Sequence, residues 1–150
     1  MILNIFLVSI KGREDDKNRV YGVYRVIPNP GIISKKSSRD SFVRFDGIVI
    51  PGNEKTKNRN NSLLAIYTAF FDALQVLESY DITKNSIVIV KNKDNKILEL
   101  LRNDYRGENV DIQQMWPSIK KLLIKYRDIR YELISDQSYS DILIGAEKWL

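Results

Sequence analysis

The hydrophobic period of this chain changes abruptly near its middle, and that change restricts the possible folds more than any other feature. Before residue 60 the apolar residues come in short β-branched and aromatic runs, at 2–10, 20–27 and 41–50. Such runs favour a pleated, half-buried surface, so each is expected to be a strand. Turn-forming residues separate them: Lys11-Gly12 with a charged stretch to Arg19, Pro28-Asn29-Pro30-Gly31, and Pro51-Gly52. Residues 32–40, with Lys35, Lys36 and Arg39 among serines, are expected to form an exposed loop. Short links between the three strands imply an antiparallel meander.

From Asn60 to Phe71 no residue is charged, and Leu63, Ile66, Tyr67, Phe70, Leu74 and Leu77 recur at helical spacing. The spacing predicts a helix buried on most sides. Ser86-Ile-Val-Ile-Val90 is a short continuous apolar run, as a central parallel strand requires. Further helices are expected around 97–101, over 112–126 and over 141–150, with a strand at 129–134 between the last two. Pro117 fits the third helix only within its first turn. The order β-β-β-α-β-α-α-β-α predicts an α/β domain over residues 1–150: a mixed five-stranded sheet with helices on its faces.

Composition removes whole classes of chemistry. The 150 residues include no Cys and no His. Disulfides, thiolate nucleophiles, Cys/His zinc sites and Ser-His-Asp catalysis are therefore excluded. Any metal would be a hard cation on oxygen ligands, such as Mg²⁺ or Mn²⁺. The formal net charge of +5 permits contact with nucleic acid without requiring it. The apolar start, Met1-Ile-Leu-Asn-Ile-Phe-Leu-Val-Ser-Ile10, lacks a basic flank and a cleavage site. It is expected to be a buried strand of an intracellular, cytoplasmic protein with no membrane partner. The Asn, Lys and Ile content suggests an A+T-rich genome, such as that of a large DNA virus, a parasite or a low-GC bacterium, and hence host cytoplasm if viral.

Four segments carry a family resemblance. Tyr21-Gly22-Val23, Thr56-Lys57-Asn58-Arg59 leading into Leu63-Leu64-Ala65, Asn109-Val110-Asp111-Ile112, and Ile129-Arg-Tyr-Glu-Leu-Ile134 followed by Asp141 occur in the order and near the spacing of type 1 ribonuclease H. The chain thus resembles the ribonuclease H-like fold over essentially its whole length. That family's hydrolysis uses carboxylates around two metal ions, which activate water and stabilise the leaving oxygen. The resemblance places those carboxylates at Val8 or Ser9, at Asn61 or Ser62, at Asn92 and at Asp141, so Asp141 alone remains acidic. It implies no catalytic residues, no bound metal and no cofactor. A shifted alignment would bring Asp46, Asp72 or Asp94 into play.

The resemblance also implies that Thr56 and Asn58 touch nucleic acid, and it matches Arg59 as well, in either a binding or a structural role. Thr56 and Asn58 equally suit helix capping. Lys35, Lys36, Lys55 and Lys57 add charge on the same side of the sequence, and Lys120, Lys121, Lys125, Arg127 and Arg130 form a second basic region. Trp116, Trp149, Tyr21, Tyr24 and Tyr139 either stack on bases or fill the core. Three functions follow: an inactive domain holding duplex nucleic acid (RNA–DNA hybrid, double-stranded RNA or DNA) by its phosphates, a structural domain docking a protein partner, or a divergent active nuclease needing Mg²⁺ or Mn²⁺.

Overall fold

The computed structural model describes residues 1–12, 19–29, 32–33, 42–43, 45–49, 61–80 and 85–147. Strands β1 (Ile2–Lys11) and β2 (Val20–Asn29) form an antiparallel pair, and the Gly12 N–H donates to the Arg19 carbonyl at 2.9 Å beneath their connection. Strand β3 (Ile32–Ile33) pairs with β4 (Phe42–Val43), and β5 (Phe45–Val49) pairs with β2. Helix α1 (Ser62–Glu78), strand β6 (Ile87–Asn92), helices α2 (Asn95–Arg102) and α3 (Val110–Leu123), strand β7 (Asp128–Leu133) and helix α4 (Asp136–Glu147) complete the order. The main sheet runs β5-β2-β1-β6-β7, with β6 parallel to both β1 and β7. This is the mixed five-stranded sheet that the sequence predicts.

Alternation along β1 divides the core in two. Leu3, Ile5 and Leu7 pack with Val88 and Val90 beneath α1, whose buried residues include Leu64, Tyr67, Phe70, Leu74 and Leu77. Val8, Ile10 and Val23 face the other way, against Tyr139 and Ile142 of α4. Helix α1 lies so close to β2 that a β-carbon at Gly22 would overlap the Ala65 carbonyl oxygen, so this crossing requires glycine.

Several boundaries differ from expectation. The third strand is divided: residues 42–43 pair with 32–33, inside the expected loop, while 45–49 join the main sheet. Strand β2 continues through Pro28, which lies opposite Leu3. Proline is tolerated because β5 pairs with β2 only from Gly22 to Val26, leaving one side of β2 beyond Val26 without a ladder partner among the described residues. Helix α3 starts at Val110, where the Asn109 side chain accepts from the Ile112 N–H at 3.0 Å, so Pro117 lies in the helix interior and not in its first turn. Helix α3 also ends at Leu123, short of Tyr126. Helix α4 starts at Asp136, because the Ser135 hydroxyl accepts from the Ser138 N–H at 3.2 Å and caps it.

Candidate functional site

The site implied by the sequence is built where β1 and β6 end beside the start of α1. Gly22 is the cross-strand partner of Ser9 and lies against Ala65, so Ser9 faces α1. Val8 faces α4 and is fully buried among apolar side chains. Of the two first-strand positions, only Ser9 shares a face with Asn92, whose register places it beside Leu7.

Asn92 is almost fully buried, and both ends of its amide are in use. Its Nδ2 donates to the Leu7 carbonyl at 2.8 Å, and its Oδ1 accepts from the Asp94 N–H at 2.8 Å. The amide therefore ties the end of β6 to β1 and turns the chain into α2. Asp94 continues the turn by capping α2 through the Lys96 N–H at 2.9 Å. Asn61 caps α1, its Oδ1 accepting from the Leu64 N–H at 3.0 Å. Asp141 is exposed in the middle of α4, where its carboxylate accepts from Gln137 Nε2 at 2.9 Å.

Each of these polar groups thus has a structural partner. Among the described residues, no group of three or more Asp or Glu side chains lies close enough together to hold a metal ion. Asp72 is half-buried in α1, and Asp46 lies in β5 opposite Arg25 in register.

The basic residues divide by location. Lys35, Lys36, Thr56, Lys57, Asn58 and Arg59, with Lys55 and Arg39, lie outside the described residues. Lys120 and Lys121 are exposed on α3. The Lys120 ammonium pairs with Asp104 at 3.0 Å, and Trp116 Nε1 donates to the same carboxylate at 3.3 Å. The hydrogen bond from Lys120, then that from Trp116, hold the Asp104 carboxyl below its ordinary range. Lys125 pairs with Glu78, and Lys121 lines the groove between those two residues and Gln75, Ser118 and Leu122. The charge of α3 and of the turn after it is therefore partly neutralised by acids from neighbouring segments, which helical periodicity alone does not reveal.

The aromatic candidates within the described residues are mostly core. Trp116 packs edge-on against Tyr67 with ring centroids 5.6 Å apart, and Tyr24 and Tyr139 are buried. Tyr21 packs against the α4-side cluster. Trp149 lies outside the described residues. No described helix is long and apolar enough to cross a membrane.

No protein-family model and no curated protein matches the sequence. Solved structures do match the fold. Ribonuclease H1 from the halophilic archaeon Halobacterium salinarum superposes with a TM-score of 0.58 at 10% identity, over 96% of this chain and 93% of that one. The N-terminal RNase H domain of a Mycobacterium tuberculosis protein, fused to maltose-binding protein, gives 0.58 at 12% identity, over 98% of this chain and 94% of that one. LC11-RNase H1, a protein isolated from compost by a metagenomic approach, was solved in complex with an RNA/DNA hybrid. It gives 0.55 at 13% identity, over 95% of this chain and 91% of that one.

Proposed function

Starting from its ribonuclease H-like fold, we propose that this chain holds duplex nucleic acid by its phosphates without carrying out two-metal hydrolysis. Asn92 carries the reading. It stands at the carboxyl end of a central parallel strand, is neutral, and has both amide atoms committed to the backbone. A carboxylate there would set acceptor against acceptor at the Leu7 carbonyl. Ser9 and Asn61 are neutral as well, and Asn61 is committed to its cap. Such a set does not balance the charge of two divalent cations.

Binding rests on the basic segments. Thr56, Lys57, Asn58 and Arg59 directly precede α1, and Lys35 and Lys36 precede β4. With Lys120 engaged by Asp104, the Thr56–Arg59 segment takes the larger share of phosphate contacts and Lys121 a smaller one. LC11-RNase H1 binds an RNA/DNA hybrid on the same fold, which supports a duplex as ligand. Phosphate contacts of this kind read backbone shape with little sequence preference.

The test is a pair of measurements on the purified chain. With Mg²⁺ or Mn²⁺ it should leave an RNA–DNA hybrid uncut, and at low salt it should retain the hybrid in fluorescence anisotropy. Cleavage that Asp141→Asn abolishes would overturn the inactive reading. Folded protein that binds no hybrid, double-stranded RNA or DNA at low salt would overturn the binding reading and leave the protein-docking role.

A further inference from the structure

Strand β7 ends the main sheet, pairing with β6 and with no other strand among the described residues. The Ile134 N–H donates inward to the Asn92 carbonyl at 3.0 Å. Backbone groups alternate direction along a strand, so those of residues 129, 131 and 133 point to the free edge. Among the described residues, the Ile129 N–H accordingly meets the carboxylate of its own neighbour, Asp128, at 2.9 Å. Leu133 at the end of the strand is 57% exposed. A free edge with an exposed leucine is a template for another strand.

The side chains restrict which strand fits. Asp128, Arg130 and Glu132 are exposed on one face of β7, while Ile129, Tyr131 and Leu133 belong to the other. Opposed residues in an antiparallel pair share a face, so two copies of β7 can pair about a two-fold axis only in alternate registers. Centred on Arg130, the pairing opposes two arginines and sets Asp128 against Glu132. Centred on Glu132, it opposes two glutamates. Centred on Tyr131, it sets Arg130 opposite Glu132 twice, and Ile129 opposite Leu133 twice. Centred on Ile129, it satisfies Asp128 with Arg130 but leaves Leu133 uncovered. The Tyr131 register alone matches charge and covers the leucine.

We infer that β7 is a self-complementary edge, and that two copies of this chain dimerise through it in the Tyr131-centred register. The interface is isologous, and it joins the two five-stranded sheets into one. Arg130 and Glu132, whose side chains are 62% and 56% exposed, exchange their intrachain partners Asp128 and Lys91 for each other across the axis. This inference is independent of what the fold binds.

Sedimentation of the chain at about 100 μM should show a dimer. Arg130→Glu alone and Glu132→Arg alone each turn two attractive cross-strand pairs into two repulsive ones, and each should weaken dimerisation about tenfold or more. Together they should restore it. Because the chain has no cysteine, register can be read by cross-linking. A mixture of Arg130→Cys protein with Glu132→Cys protein should form a disulfide-linked dimer, and neither protein alone should. Circular dichroism confirms that each variant is folded, and cross-linking decides the matter should a charge reversal unfold the chain. A chain that stays monomeric to about 1 mM, a dimer indifferent to both reversals, or equal cross-linking of each cysteine protein alone would overturn the inference.

Discussion

Asn92 shows how much can depend on one amide. Its nitrogen and oxygen bind two backbone groups, and burial removes water as a substitute. Asn92→Asp keeps the size but replaces a donor with an acceptor facing the Leu7 carbonyl. The cost of an unsatisfied buried group, about 1–3 kcal/mol, should appear as lost stability in urea unfolding at pH 7. Burial and the facing carbonyl raise the new carboxyl's folded-state pKa. Its protonated form is therefore favoured in the native state, and the loss should shrink as pH falls towards 4, where the proton restores a donor. Equal stability of the two proteins at pH 7 would show that the amide is not needed. Asp104 has the opposite sign. Its carboxyl is held low by Lys120 and Trp116, so its contribution is present above the ordinary carboxylate pKa and fades as pH falls through its own.

At the scale of elements, the helices follow their caps more closely than their apolar residues. Asn61, Asp94 and Asn109 start α1, α2 and α3, and the Ser135 hydroxyl caps α4. Ser135 and Ser138 as a cap locate the start of α4 and place Asp141 in its middle instead of at its first residue. Asn109 would likewise have moved Pro117 into the interior of α3. Proline there lacks the N–H that would reach the Gln113 carbonyl, at a cost of about 3 kcal/mol in a helix interior. Part of that is offset by the smaller entropy of the unfolded chain. Both residues are exposed, so water can serve the carbonyl. Pro117→Ala should therefore raise stability by about 1–3 kcal/mol, seen as a higher urea midpoint at unchanged slope. A lower midpoint would mean that the proline ring makes contacts worth more than the missing bond.

For the whole molecule, the net charge of +5 sets the form of the binding prediction. Each phosphate neutralised on B-form DNA contributes about −0.9 to the slope of log affinity against log salt. Roughly three to five contacts then give a slope of about −3 to −5. Lys57→Ala with Arg59→Ala should flatten it by about two units, whereas Lys120→Ala should change it little, because Asp104 already holds that ammonium. RNA-containing duplexes should bind at least as tightly as DNA, because their wide minor groove presents 2′-hydroxyls beside the phosphates. Anisotropy titrations at several salt concentrations measure all of these, and a salt-independent affinity would refute the phosphate-contact reading.

The amino-acid sequence by itself determined the order of the five main-sheet strands and the four helices, the mixed sheet and the burial of α1, but not the small β3-β4 pair. Those properties depend on local hydrophobic period and turn residues, which neighbouring positions carry between them. It also determined that cysteine and histidine chemistry is absent. Only the tertiary structure decided which first-strand residue faces α1, what engages Lys120, and which strand is left as an edge. Each of these depends on groups far apart in the chain: Leu7 and Asn92 are 85 residues apart yet share a hydrogen bond. A register is set by the whole sheet, so a one-residue difference moves a side chain to the opposite face. Successive residues of a strand point to opposite faces, so Ser9 and Val8, adjacent in sequence, face different helices, and the register decides which one meets α1.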